Sequence, residues 1–345
     1  MRRFDYSSLS DKKWDNEIIN YLSQIHEYKG RQASHIQNKS SELKRLVEVA
    51  KVQSTEASNS IEGIRTTETR LRQIMNERTT PRNRDEKEIA GYRDALNIIH
   101  ENFEYIPLTP NFILQLHKIL FQHTDLSFGG SFKDVQNYIS ATDELGNRFT
   151  LFTPLSPYET PAAIQEICDE YNRAIGEGKV DPLLIIPVFV HDFLCIHPFL
   201  DGNGRMSRLL TTLLLYRSGY EIGKYISLEA KIAKTKDAYY DALEISQEGW
   251  HEQKDDPTEF IKYLLGTIIA AYRDLDDRIH IVSPTSYETV KKAVDSKIGK
   301  FTKRDILELC PSISPSTVER NLRKLTAEGY ISKYGAGKNT FYVKN

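Results

Sequence analysis

The chain has 345 residues, 39% of them hydrophobic and 27% charged, with a net charge of −2. That length allows two or three domains with real cores, and the charge balance excludes a polycation that wraps nucleic acid with its whole surface. No apolar run reaches the ~18 residues of a membrane helix, and the opening MRRF leads into no apolar stretch, so neither a membrane span nor a secretory signal is expected. Cys168, Cys195 and Cys310 are far apart and form no CxxC pair, which argues against a disulfide framework or zinc site and for a reducing cytoplasm.

Residues 1–108 read as a helical region. Trp14, Ile18, Ile19 and Leu22 recur at helical spacing, as do Ile89, Tyr92, Leu96 and Ile99, and the polar stretch 76–84 with Pro81 is a loop. Thr109-Pro110 opens a helix whose buried face is Ile113, Leu116 and Leu120. After Phe128-Gly129-Gly130 the pattern changes: 135–141 and 148–153 are short β-formers around a turn at 144–147, one hairpin inside a helical domain. Helices resume at Thr160 and again after Asp181-Pro182, with Pro187 expected to kink the latter, and continue to Tyr272 with a loop near 249–257. Residues 273–296 read as a charged connector. Over 297–345, Thr302 caps a short helix, Ser314-Pro315 opens another with Val318, Leu322 and Leu325 on one face, and a hairpin follows about Gly335-Ala-Gly337. The expectation is a mainly α chain with one β-hairpin, ending in a small α+β domain of winged helix-turn-helix order.

Chemistry concentrates in His197-Pro-Phe-Leu-Asp-Gly-Asn-Gly-Arg-Met-Ser-Arg208. Gly202-Asn203-Gly204 cannot be a helix interior, yet Met206, Leu209, Leu210 and Leu213 follow at once with helical period. A glycine loop that becomes a helix N-terminus offers free N–H groups and a positive dipole end, an anion site. Arg205 and Arg208, three apart, are placed to hold phosphates. Asp201 is a hard oxygen ligand suited to Mg2+, and His197 is the neutral-pH base beside it. The set describes a nucleotide–metal site in which a hydroxyl attacks phosphorus.

This segment resembles the signature of the Fic (Fic/Doc) family, His-Pro-Phe-x-Asp/Glu-Gly-Asn-Gly-Arg-x-x-Arg. Nine specified positions coincide by chance with odds on the order of 10^-12 per starting point, so the match decides the reading. Asp181-Pro-Leu-Leu184, His191, Phe193 and Ile196 also look like the family's approach to the motif, and the likeness covers about residues 50–270. The resemblance implies a Fic helical core over 109–272 with a β-hairpin flap. It also implies AMP transfer from ATP to a Ser, Thr or Tyr hydroxyl of a protein, itself included, with Mg2+ and release of pyrophosphate. His197 would take the hydroxyl proton and Asp201 would hold Mg2+. Gly202, Asn203 and Gly204 would cradle phosphates that Arg205 and Arg208 grip, while Phe199 anchors the loop. Asn137, Tyr138, Ile139 and Ser140 of the flap would face nucleotide or target, and Tyr239 and Tyr240, with Gln247 beyond, would lie near the nucleoside. His191 reads as a core histidine.

Ser58-Asn-Ser-Ile-Glu62-Gly63 resembles the family's inhibitory signature, Ser/Thr-x-x-x-Glu-Gly/Asn, and places an inhibitory helix at about 50–64. Ser58 and Glu62 share a helix face, and Gly63 can end the helix. Glu62 would pair with Arg208 and withhold it from the γ-phosphate; Glu62 could also orient water for removal of AMP from modified targets. The rival reading starts from the tail. Residues 295–345 hold ten Lys or Arg against five Asp or Glu, a local excess that suits nucleic acid. Arg320, Asn321, Lys324 and Lys338 are the candidate DNA contacts of a winged-helix regulator with a modulatory core. No membrane partner is expected, and a homodimer is compatible with everything above.

Overall fold

The structure, a computed structural model, describes residues 2–345 except 39, 143–145, 283–285, 298, 312 and 338–339. Two compact units divide the chain, Met1–Asp276 and Asp277–Asn345.

In the first unit the helices α1 (Asn16–Asn38), α2 (Ser40–Ile61), α3 (Glu68–Met75), α4 (Arg84–Asn102) and α5 (Pro110–Phe121) precede a two-stranded antiparallel hairpin, β1 (Ile139–Thr142) and β2 (Arg148–Phe152). Then come α6 (Thr160–Glu177), α7 (Pro182–Ile196), α8 (Asn203–Arg217), α9 (Leu228–Lys234), α10 (Lys236–Gln247) and α11 (Thr258–Val282). Caps set the starts: the Thr109 side chain accepts from Phe112 N and the Asp181 side chain from Leu183 N, each before a proline at the first helical position. α7 and α8 are buried nearly all round, so they form the centre of the unit, and the other helices cover them with one apolar face each. Pro187 lies within α7 without ending it.

α4 and α5 touch backbone to backbone. A Cβ on Gly91 would lie 2.0 Å from the Leu120 carbonyl oxygen, so only glycine permits that approach. At the N-terminus the sequence pattern misassigns one face: Trp14 precedes α1 and Ile19 is 54% exposed, while Ile18 and Ile25, seven apart, are the buried pair. Both faces of that turn carry apolar residues, and packing against the body selects one of them.

The second unit differs from the expected connector and short domain. Residues 273–296 are largely helical: α11 runs to Val282, and α12 (Ser286–Asp295) buries Val290, Ala293 and Val294. The i, i+3, i+4 spacing was present, but the charges between these residues gave the segment the look of a linker. β3 (Lys300–Phe301), α13 (Lys303–Leu309), α14 (Pro315–Ala327), β4 (Ile331–Tyr334) and β5 (Phe341–Lys344) complete the unit, whose antiparallel sheet has the order β3-β5-β4. Phe301, Ile306, Val318, Leu322, Ile331 and Tyr342 join α12 in one small core.

Candidate active site

α7 ends at His197, whose backbone is left-handed (φ 51°, ψ 62°) although the residue is not glycine. Strain of this kind persists only where the surroundings fix it, and it turns the chain straight from α7 into the motif loop. Its Nδ1 lies 3.1 Å from the Leu194 carbonyl oxygen, so Nδ1 carries the proton and Nε2 keeps a lone pair. Burial lowers the imidazole pKa to about 4, against the raising effect of that carbonyl, so the ring is neutral at pH 7 and ready to accept a proton.

The loop is pinned from several sides. Phe199 is wholly buried and stacks on His117, with ring centroids 3.7 Å apart. Asn203 accepts from Phe199 N (2.9 Å) and donates to Phe199 O (2.7 Å), so both ends of its side chain shape the loop and only its backbone can meet a ligand. Asn137 donates to the carbonyls of His197 (3.1 Å) and Phe199 (3.0 Å). Lys133 in turn donates to Asn137 Oδ1 (2.8 Å) and Ile196 O (3.0 Å), and burial lowers its pKa to about 8. His117 accepts from Gly130 N at Nδ1 (3.0 Å) and faces Asp201 O with Nε2 (3.0 Å); burial holds its pKa at about 4. Lys133 and His117 were not found from the sequence. One follows a glycine pair that reads only as a turn, and the other sits on an apolar helix face with nothing to mark it.

Gly202 caps α8 in the left-handed conformation (φ 85°), and the first turn of α8 points its N–H groups into a cleft of about 550 Å³. That volume suits a nucleotide. Glu62, Ile139, Ser140, His197, Asp201, Gly202, Asn203, Gly204, Arg208, Tyr239 and Tyr240 line it, so the fold brings most of the candidate residues together. Gln247 and His191 also line it, His191 with its pKa lowered by burial to about 3. Tyr239 is buried against Tyr240, Phe260 and Tyr263, while Tyr240 is 43% exposed.

Three candidates are placed differently. Arg205 is 1% exposed, lies over the Phe121 ring and pairs with Glu88 (2.7 Å). It turns into the protein because Glu88 of α4 and the Phe121 ring of α5 draw its guanidinium to that side. Asn137 holds the loop from outside the cleft, as described, because its amide is consumed by backbone carbonyls. Tyr138 is 58% exposed and does not line the cleft, which Ile139 and Ser140 reach together across an irregularity in the β1–β2 register.

Arg208 is 3% exposed. Its Nε donates to Ser58 Oγ (2.8 Å), and its Nη2 donates to Ser58 O (2.9 Å) and Glu62 Oε1 (2.8 Å). Glu62 is the first residue beyond α2; Gly63 follows at φ 82°, and Ile64 N bonds back to Asn59 O. Burial pushes the Glu62 carboxyl up, but Arg208 outweighs it and holds the pKa below its usual value. A Cβ on Gly204 would lie 2.2 Å from Glu62 Oε1, so this carboxylate rests on the first turn of α8, where an anion would sit.

Asp201 is 42% exposed at the rim; its Oδ1 accepts from Gly202 N (2.6 Å) and its Oδ2 from Arg84 (2.9 Å). A single carboxylate open to a phosphate cleft fits a hard divalent cation, which completes its shell with phosphate and water. Among the described residues His191, Asp192 and Asp255 also gather potential ligand atoms. Arg2 already pairs with both acids there, and Asp192 accepts from Trp250 (2.7 Å) and Tyr6 (3.0 Å), so that cluster is a structural ion pair.

In the second unit Asn321 is 4% exposed and its amide is 3.3 Å from Ser286 Oγ, so it cannot reach a base edge. Lys324 lies over the Tyr287 ring and 4.0 Å from Glu328. Arg320 is exposed, and Lys338 lies outside the described residues.

Residues 107–215 match the model of the Fic/DOC family. The protein adenylyltransferase Fic of Drosophila willistoni is 27% identical over 272 residues, 76% of this chain and 50% of that protein. Caenorhabditis elegans fic-1, also a protein adenylyltransferase, is 25% identical over 219 residues, 62% of this chain and 38% of that one. The chain thus spans about half the length, or less, of these curated relatives. Among solved structures, a Fic family protein from Desulfovibrio desulfuricans superposes with a TM-score of 0.62 at 19% identity over 97% of both chains. A Fic domain signalling protein from Bacteroides thetaiotaomicron does so with 0.58 at 25% identity, over 75% of this chain and 94% of that one. No helix among the described residues is long and apolar enough to cross a membrane.

Proposed function

We propose that this chain, which carries a Fic/DOC domain, is a protein adenylyltransferase whose own Glu62 holds it inactive. The observation that carries the reading is a neutral His197, its Nε2 lone pair free, beside a helix N-terminus that already holds an anionic group. ATP is the substrate expected for the family. Its phosphates would lie against the N–H groups of the first turn of α8, with Arg208 on the terminal phosphates and the nucleoside along Tyr239 and Tyr240. His197 Nε2 accepts the proton of the target hydroxyl as its oxygen bonds the α-phosphorus and pyrophosphate leaves with the displaced electron pair. Asp201 would hold Mg2+, which supplies charge neutralisation on the phosphates when bound. Arg205 acts from behind, as the counter-charge that keeps Glu88 and the loop in place.

The target is a protein hydroxyl. The exposed edge of the flap, with Tyr138 and Phe149 unburied beside it, suits an extended segment added as a further strand. Inhibition follows from the anion seat: Glu62 sits on Gly204 and on the guanidinium that the γ-phosphate needs, so ATP cannot align while it is there. The C-terminal unit has the strand and helix order of a winged helix. With Asn321 buried, its nucleic-acid reading retains Arg320 and Lys324 among the described candidates, since the Lys324–Glu328 contact is an exposed pair at 4.0 Å.

Intact mass after incubation of the Glu62→Gly protein with ATP and Mg2+ tests the assignment. A gain of one AMP unit, absent when His197→Ala is added, is expected. An unchanged mass for Glu62→Gly, with and without a mixture of candidate protein targets, removes it.

A further inference from the structure

Four charged side chains close a ring beside the cleft. Asp201 Oδ1 lies 3.6 Å from Arg205 Nη2, which lies 2.7 Å from Glu88 Oε2. Glu88 Oε1 is 2.6 Å from Arg84 Nε, and Arg84 Nη2 is 2.9 Å from Asp201 Oδ2. The inner pair, Glu88 and Arg205, is buried at 2% and 1% exposure, whereas Arg84 is 60% and Asp201 42% exposed. Oδ1 of Asp201 is spent on Gly202 N and Arg205. Oδ2 is the oxygen left for a cation, and the Arg84 guanidinium stands on it.

We propose that Arg84 is a resident cation at Asp201 which a divalent metal must displace, so that it sets how much metal the site requires. The proposal rests on Asp201 being the metal carboxylate. A guanidinium and a hard dication compete for one oxygen, and the one already present raises the concentration at which the other binds. Arg84 can leave without disturbing the buried pair. It is the first residue of α4, follows the polar stretch 76–83, and keeps its Nε bond to Glu88 as a pivot while Nη2 releases Asp201. An exposed ion pair of this kind is held weakly and screened by salt, which makes it displaceable.

The test uses the full chain and Mn2+ alone, with no nucleotide, and follows paramagnetic broadening of the Gly202 and Gly204 amide resonances. Arg84→Gln should shift the Mn2+ midpoint down by about two- to five-fold, the range a weak exposed ion pair implies. Arg84→Lys keeps the charge but cannot span both acids, and should move the midpoint the same way by less; it decides the matter if the Gln protein does not fold. Asp201→Asn should abolish the broadening. Unshifted midpoints in the Arg84 variants, or broadening that survives Asp201→Asn, would overturn the proposal. Neither outcome depends on AMP transfer, so failure of the transferase reading would show separately in the mass experiment.

Discussion

His197 owes its chemistry to burial. In water an imidazole is half protonated near pH 6.5, but here the low-dielectric surroundings disfavour the charged form and bring the pKa to about 4. The base is therefore unprotonated throughout the range from pH 8 to 5. Replacing Glu62 removes a nearby negative charge and can only lower that pKa further. Initial rates of AMP transfer by the Glu62→Gly protein should thus be flat between pH 8 and 6 on the His197 account, without the acid limb near 6.5 that an ordinary histidine base gives. A half-maximal rate near pH 6.5 in folded protein would show a histidine that is not buried as described. A second prediction concerns Asn137, which touches two carbonyls of the loop and no part of the cleft. Asn137→Ala removes the bridge from Lys133 to the His197 and Phe199 carbonyls, so it should lower kcat on the order of 10- to 100-fold through misplacement of the base. KM for ATP should change little, because the α8 N-terminus is untouched. A loss confined to KM would place Asn137 on the nucleotide instead.

At the scale of elements, α2 is not held to the site by Glu62 alone. Arg208 donates to Ser58 on α2, and Tyr92 on α4 donates to the buried Glu229 (3.1 Å), which also accepts from Ser54 (2.6 Å) on α2. The inhibitory segment is thereby tied to α4 and α9 through buried polar groups that water cannot replace. Tyr92→Phe removes that hydroxyl and leaves Glu229 one partner short, at about 1–3 kcal/mol of stability. Basal AMP transfer should rise above wild type but stay below Glu62→Gly, because the Glu62–Arg208 contact itself remains. Basal transfer indistinguishable from wild type would mean that Glu62 needs no such support.

The sequence carried the motif loop because its constraint is local: glycines, an acid and cations crowd into twelve residues, and the helix after them declares itself by period. It could not carry Arg205's inward turn, since Glu88 and Phe121 reach that side chain from α4 and α5. Nor could it mark Asn137 as a strut, because the carbonyls it binds belong to a distant segment. The helix over 286–295 shows a different failure, in which three apolar residues at core spacing are outnumbered by charges, some of which are tied to the tail, as Asp295 is to Tyr330 and Lys291 to the Tyr330 ring.

Across the whole molecule, the buried histidines set an acid limit. Burial lowers the pKa values of His100, His117, His191 and His197 to about 3, 4, 3 and 4. In the unfolded chain each returns to roughly 6.5. The unfolded state then binds more protons below that value, so their contribution is intact above pH 6.5 and is lost as pH falls toward 4. At pH 5 the loss is about 2 kcal/mol for each ring. Asp192 works the other way: burial raises its pKa to about 6, so protonation favours the folded state between about 6 and 4 and returns about 1 kcal/mol at pH 5. Four rings outweigh one acid, and the net loss of about 7 kcal/mol is a large share of a typical domain's stability. The urea midpoint of the first unit should hold from pH 8 to 7 and fall steeply between 6.5 and 5. A midpoint constant down to pH 5 would contradict the burial of these rings. Because His197 stays unprotonated over the same window, activity that fades below pH 6 on long incubation should be recovered in initial-rate measurements begun from folded protein. Acid then removes the scaffold before it removes the base.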